Sequence, residues 1–242
     1  MYQNYIFDLY GTLADIHTNE QKAYLWKKMA CFFGMKGAVY DFREMKKRYH
    51  DLVREKEKAA MERSAGNGSV PEIQIGEVFA QMYEEKGVRV SDGEIADTAR
   101  MFRAVSLEHL TLFDGVDQLL DAIHAAGKKA YLLSNAQALF TAPEIRMLGL
   151  DRKLDGILLS SDAGVKKPDP HFYRMLLEKY HLSPEESVMT GNDDLADCHG
   201  AAAVGMDSIY ICTEQSPERK QPLPESCREI TNILQVLEEK TE

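Results

Sequence analysis

Four short apolar runs, each ending abruptly in polar residues, most constrain what this chain can fold into. They are Tyr5-Ile6-Phe7 before Asp8, Ala130-Tyr131-Leu132-Leu133 before Ser134-Asn135, Gly156-Ile157-Leu158-Leu159 before Ser160-Ser161-Asp162, and Ser187-Val188-Met189 before Thr190-Gly191-Asn192-Asp193-Asp194. Short unbroken apolar runs bounded by turn-forming residues read as strands buried on both faces. Helical stretches separate them: Val116, Leu119, Leu120 and Ile123 share one stripe closed by Gly127, and Gly200 to Val204 is a small-residue helix suited to close packing on a sheet. Strands alternating with helices predict a doubly wound, Rossmann-like α/β core with a parallel sheet. Ligands of such sheets bind in the crevice outside the carboxyl ends of the strands, where these polar residues stand. Met206 to Cys212 predicts a further strand, and Ile230, Ile233, Leu234 and Leu237 predict a terminal helix with Glu238 to Glu242 frayed.

Between Thr18 and Leu107 the texture changes. Phe42, Met45, Tyr49, Leu52 and Val53 recur at helical spacing on a charged segment, and Val78, Phe79, Met82 and Tyr83 do so further on. This stretch predicts a small helical bundle inserted after the first strand, its aromatic and methionine stripes forming its own core. Ser64 to Ser69, rich in glycine and serine, is the clearest loop.

The strand-end residues are chemically complementary. Gly11 permits a sharp turn that leaves the Asp8 carboxylate at a strand tip, able to attack an electrophile or ligate a cation. A carboxylate attacking a phosphorus centre meets a dianion, so the site needs positive charge, which Lys167 and a metal would supply. Magnesium takes hard oxygen ligands and keeps several waters, so two or three carboxylates suffice. Ser134 is placed to hydrogen-bond phosphoryl oxygens, whose transfer depends mainly on positioning.

In order and content, Asp8-Leu9-Tyr10-Gly11-Thr12, Ser134-Asn135, Lys167-Pro168-Asp169-Pro170 and Asn192 to Asp197 resemble the four signature motifs of the haloacid dehalogenase-like hydrolase superfamily. The resemblance implies that Asp8 is the nucleophile, Ser134 the second-motif hydroxyl with Asn135 approaching the transferred phosphate, and Lys167 the third-motif lysine. It implies Mg²⁺ held by Asp8, the backbone carbonyl of Tyr10 and the acidic loop of Asn192, Asp193 and Asp197. Residues 18–107 become the helical cap of the subfamily whose lid lies between the first and second motifs, and residues 1–17 and 108–242 the α/β core. The implied activity is phosphohydrolysis of a small phosphorylated metabolite through a phosphoaspartyl intermediate.

Two departures bear on that activity. Tyr10 stands where family phosphatases carry a second aspartate, the general acid and base. A tyrosine of ordinary pKa about 10 is a poor base at neutral pH, and general acid–base catalysis is worth roughly a hundred- to ten-thousandfold. Good leaving groups would suffer least. The same tyrosine occurs in 2-haloacid dehalogenases of the family, whose halide needs no proton. Carbon–halogen hydrolysis is therefore one alternative, and a catalytically weakened phosphate- and magnesium-binding regulatory module is another. The dehalogenases place an arginine in the cap, and Arg43, Arg48 and Arg54 are candidates with no sequence rule to choose among them. In the acidic loop the glycine is followed by Asn192-Asp193 rather than at once by aspartate. Asp193 is expected to be the main anionic ligand, Asn192 a neutral one, and Asp194 a helix cap. His17 is read as solvated or packed, with a cleft-facing acid–base role as the alternative.

The chain of 242 residues can hold one core plus a smaller unit, and no apolar run approaches the length of a membrane span. Its net charge of -10 argues against general nucleic-acid binding. Cys31, Cys198, Cys212 and Cys227 show no metal-ligand spacing and read as free thiols, which with the absence of a signal-like segment predicts a cytoplasmic protein.

Overall fold

The computed structural model describes residues 2–66, 68–219 and 221–238. Its centre is a six-stranded parallel sheet built from β1 (Asn4–Phe7), β4 (Lys129–Ser134), β5 (Gly156–Leu159), β6 (Ser187–Gly191), β7 (Asp207–Ile211) and β8 (Cys227–Ile230), in the spatial order β5-β4-β1-β6-β7-β8. The first strand lies centrally, with Phe7 in register with Leu132 on one side and Thr190 on the other. Both faces are apolar because both are covered: Tyr5 and Phe7 point into one core with Val116, Leu119 and Leu120, while Ile6 points into a second with Phe172, Tyr173 and Met189. This is the doubly wound arrangement expected from the alternating pattern.

The remaining two strands, β2 (Ala14–Thr18) and β3 (Leu107–Leu112), form an antiparallel ribbon in which Ala14 faces Leu112 and Thr18 faces Leu107. The chain leaves along one strand and returns along the other. Between them lie α1 (Ala23–Met35), α2 (Phe42–Ser64), α3 (Ile75–Glu84) and α4 (Asp92–Ser106). Met45, Tyr49 and Leu52 of α2 and Val78, Phe79, Met82 and Tyr83 of α3 are buried together with Trp26, Phe33 and Phe102, a core separate from the two that flank the sheet. The helix starts are chemically defined. Asp41 accepts from the amides of Arg43 and Glu44, and Ser91 and Glu94 form a reciprocal capping box.

Helices cover both faces of the sheet: α5 (Val116–Ala125) and α6 (Ala138–Met147) pack on the Tyr5 and Phe7 side, and α8 (Pro170–Tyr180), which follows the single turn α7 (Ser160–Ala163) and is opened by Asp169 as cap and Pro170 in the first turn, packs on the Ile6 side. A π-helical turn, Asp194–His199, leads into the short α9 (Gly200–Ala202). The expected terminal helix is corrected. Ile230 ends a strand, paired with Ile211, and only Ile233–Leu237 is helical, as a short 3₁₀ segment capped by Asn232. The fraying expected toward Glu242 concerns residues 239–242, which lie outside the described residues.

Candidate active site

Because β4, β1 and β6 are adjacent and in register, their carboxyl ends bring Ser134, Asp8 and Asn192 to one edge of the sheet. The turn after Asp8 is held by local bonds, with the amides of Leu13 and Ala14 donating to the Leu9 carbonyl. Gly11 takes φ +80°, a left-handed conformation, and a Cβ there would collide with the Asn192 side chain. Asn192 is buried against this turn, its Oδ1 accepting from the Thr12 hydroxyl at 3.4 Å.

Lys167 arrives from the segment after α7 and is 3% exposed. Its Nζ lies 2.7 Å from Asp8 Oδ1 and 2.7 Å from Asp197 Oδ1, so one ammonium bridges two carboxylates. Burial alone would depress the Lys167 pKa, but Asp197 and Asp8 outweigh it and hold it above its ordinary value. Burial pushes the Asp197 carboxyl up to about 6 against the pull of Lys167. The other Asp197 oxygen accepts from the Asp193 amide at 3.0 Å. Its carboxylate lies over Gly191, where any Cβ would strike it. That close approach explains a glycine at the end of a buried strand.

Asn135 braces the lysine loop. Its Oδ1 accepts from the Lys167 amide at 2.8 Å and its Nδ2 donates to the Lys167 carbonyl at 3.0 Å. Both ends of the amide expected to approach phosphate are thereby joined to the Lys167 backbone. A cavity of about 210 Å³ opens above the strand ends, lined by Asp8, Tyr10, Ser134, Lys167, Asn192 and Asp193, with Asn135 and Asp197 beside them. Gln215 and Pro217, which sequence reasoning missed, close one side. Gln215 Nε2 is hydrogen-bonded to Asp15 and to the Ile16 carbonyl, while the neighbouring Thr213 hydroxyl donates to the Gly11 carbonyl at 2.8 Å.

The cap role in the acidic loop falls to a different residue than expected. Asp193, not Asp194, caps the π-helical turn, its Oδ1 accepting from the Ala196 amide at 2.8 Å. Asp194 is buried and its Oδ2 is without a hydrogen-bond partner among the described residues. Among the described residues no three His, Cys, Asp or Glu side chains converge in a metal-binding group. The oxygen-bearing side chains around the cavity nevertheless suit a hard cation that keeps most of its water: two lysine-bridged carboxylates, the Asn192 amide and the Asp193 carboxylate.

Tyr10 lines the cavity, but its hydroxyl faces α6. It donates to Glu144 and meets the Thr141 hydroxyl at 2.9 Å. Burial, reinforced by the Glu144 charge, raises the Tyr10 pKa further above 10. Glu144 is 2% exposed, and burial raises its pKa against the opposing pull of Arg103 and Tyr10. Arg103 comes from α4, its Nε 3.0 Å from Glu144 Oε1 and its guanidinium 4.6 Å from the centre of the Phe140 ring. This pair joins the helical insertion to the core beside the turn after Asp8, and nothing in the local sequence singles out either partner. His17 points elsewhere: it is mostly exposed and pairs with Glu108 at 2.6 Å. Of the arginines that sequence left open, Arg48 is neutralised by Glu55 and Glu85.

Comparison with known proteins identifies the family and agrees with the fold. The model of the haloacid dehalogenase-like hydrolases matches residues 2–205. The chain is 31% identical over 99 residues to a glyceraldehyde 3-phosphate phosphatase of Pyrococcus furiosus, covering 39% of this chain and 41% of that protein. It is 26% identical over 114 residues to a phosphoserine phosphatase of Thermus thermophilus, covering 47% and 46% respectively. The matched part thus spans less than half the length of either relative. A solved 2-haloacid dehalogenase of Pseudomonas syringae pv. tomato superposes with TM-score 0.63 at 19% identity, over 98% of this chain and 96% of that one, a likeness of fold. By its family match and its architecture, this chain belongs to the haloacid dehalogenase-like hydrolases.

Proposed function

We propose that the chain is a cytoplasmic, magnesium-dependent phosphohydrolase that acts on a small phosphorylated metabolite through a phosphoaspartyl intermediate at Asp8. In this reading residues 1–17 and 108–242 are the catalytic core and residues 18–107 the cap that governs access. The observation that carries it is the buried Asp8–Lys167–Asp197 bridge at the strand ends, 2.7 Å on each side. The phosphatases named among the relatives support the substrate class.

An Asp8 oxygen forms a bond to phosphorus as the bond to the leaving oxygen breaks, and that oxygen takes its proton from solvent. Water then attacks phosphorus, restoring the Asp8 carboxylate and releasing phosphate. Lys167 offsets the negative charge that nucleophile and substrate bring together, and the Ser134 hydroxyl donates to a phosphoryl oxygen. Mg²⁺, held by Asp8, the Tyr10 carbonyl, Asn192, Asp193 and Asp197, would supply further charge compensation. With its hydroxyl bonded to Glu144, Tyr10 leaves departure unassisted by a carboxylic acid. Aryl and acyl phosphates should therefore turn over faster than alkyl phosphates.

The same feature favours a second reading, carbon–halogen hydrolysis at Asp8, because a halide leaves without a proton. One set of assays separates the two: aryl, acyl and sugar phosphates with magnesium and with chelator, and chloride release from 2-chloropropionate without metal, each with Asp8→Asn as control. Phosphatase activity that needs both Asp8 and magnesium supports the first reading. Activity surviving Asp8→Asn refutes it, haloacid turnover without phosphatase activity establishes the second, and magnesium and phosphate binding without turnover marks a regulatory module.

A further inference from the structure

Away from Asp8, the helical insertion carries a groove of about 440 Å³ between the start of α1 and one face of α2, lined by Trp26, Arg43, Lys46, Lys47, His50 and Arg54 among others. The basic positions fall at spacings of three, four and seven residues, the repeat that keeps side chains on one helical face. Of the four permanent cations there, two pair with Asp51, Lys47 at 2.7 Å and Arg54 at 2.5 Å. Arg43 and Lys46 have no acidic partner among the described residues. Arg43 lies over the Phe42 ring at 4.5 Å, and Lys46 donates to the side chain and carbonyl of Gln21 at 2.7 and 3.2 Å. The inner wall is aromatic, with the half-buried His50 ring 5.6 Å from that of the buried Trp26. Burial, and then the neighbouring Lys46 and Arg54 charges, hold His50 below its ordinary pKa, while Asp51 opposes them, in keeping with a positive field in the groove.

A concentrated positive groove stands out on a chain whose net charge is -10. Mutual repulsion among unpaired cations costs free energy that an anion would recover. From Arg43 to Arg54 the helix axis runs about 16 Å, too far for one phosphate to touch every cation and suited to a chain of phosphates. We propose that this groove binds a polyphosphate, free or carried by a nucleoside, at a site that shares no lining residue with the cavity above Asp8. Its shortness and the acidic remainder of the chain favour a compact polyanion over nucleic acid.

Trp26 is the single tryptophan of the chain, so its emission reports on the groove. Titrate the Asp8→Asn protein calorimetrically with ATP, inorganic triphosphate and inorganic phosphate in the absence of divalent metal, following Trp26 fluorescence in parallel. One-to-one binding of ATP or triphosphate with a change in emission, and at least tenfold weaker binding of phosphate, is expected. Similar affinities for ATP and triphosphate assign recognition to the phosphate chain, whereas ATP alone assigns it to the nucleotide. The Arg43→Glu/Lys46→Glu double variant should lose at least tenfold in affinity, and Arg43→Lys/Lys46→Arg should keep it, with melting curves showing that both fold. In the Asp8 protein the charge-reversed pair should leave aryl-phosphate turnover unchanged. Absence of heat and emission change up to millimolar polyphosphate overturns the proposal. So does equal binding by the charge-reversed variant, or a short single-stranded oligonucleotide that displaces ATP.

Discussion

Replacing Tyr10 by phenylalanine separates two roles that the residue could have. The ring stays and no cavity opens, so the change isolates the hydroxyl, which bonds to the carboxylate of Glu144 and meets Thr141 at 2.9 Å. Glu144 is 2% exposed, so water cannot readily replace the lost donor, and the carboxylate keeps only the Arg103 contact at 3.0 Å. Hydrogen bonds to charged groups contribute about 1.5–3 kcal/mol, which is the destabilisation expected for Tyr10→Phe. For a chain of this size that corresponds to a fall of about 3–12 °C in melting temperature. Glu144→Gln should remove most of the same interaction, so a double-mutant cycle should return a coupling on the order of 1.5–3 kcal/mol. Turnover of aryl phosphate, by contrast, should change less than about threefold, because the hydroxyl faces α6 rather than the leaving group. Calorimetry on the four proteins of the cycle and steady-state kinetics on two decide the matter. Unchanged stability together with a hundredfold loss of kcat would make the tyrosine hydroxyl a proton donor and refute the reasoning.

Further outcomes follow from the same geometry. Tyr10→Asp should raise kcat on alkyl phosphates more than on aryl phosphates, read as the ratio of the two; an unchanged ratio would remove the leaving-group argument. Gly191→Ala drives a methyl into the Asp197 carboxylate and should destabilise by about 1–3 kcal/mol while abolishing turnover, measured by urea denaturation and aryl-phosphate assay. In the helical insertion, the Ser91 amide, then Lys36 and the Ser91 hydroxyl, depress the Glu94 carboxyl to about 2 from its ordinary 4.5. A depressed carboxylate stabilises the fold fully above the unfolded value, so its contribution should fade between pH 4.5 and 2 and be missing from the melting profile of Glu94→Gln. Magnesium should raise the melting temperature by binding the folded state, and Asp193→Ala should reduce that shift more than Asp194→Ala, whose parent side chain lies outside the cavity.

The parts of the site legible in the sequence are those whose position follows from where a strand stops. Asp8, Ser134 and Asn192 needed only the recognition that Tyr5 to Phe7, Ala130 to Leu133 and Ser187 to Met189 are buried strands, because adjacent parallel strands present their ends together. What depends on the phase of a turn was not legible. Asp193 and Asp194 are chemically identical neighbours, and only the start of the π-helical turn at Asp194 makes Asp193 the cap. The terminal helix departs from expectation for a related reason: Ile230, Ile233, Leu234 and Leu237 repeat at helical spacing, yet Ile230 is claimed by the sheet edge through its pairing with Ile211. Arg103 and Glu144 lie 41 positions apart on two different helices, and a charged residue on a helix reads as solvated. Their pairing exists only once α4 is packed against α6.

That pairing changes what the departure at Tyr10 means. Viewed as sequence, the substitution removes a catalytic acid. In the folded chain the side chain is the innermost member of a line that runs from the turn after Asp8 through Glu144 on α6 to Arg103 on α4. The buried Glu144 carboxylate is held chiefly by its charged partner: losing Arg103 should cost about 3–5 kcal/mol, more than the roughly 1.5–3 kcal/mol expected for the Tyr10 hydrogen bond. Any movement of α4 away from α6 would separate Arg103 from Glu144 and leave Tyr10 as the main partner of that carboxylate. The side chain at position 10 therefore serves to hold the helical insertion against the core, and under the proposed phosphohydrolase reading the chemistry at Asp8 falls to substrates whose leaving group departs without help.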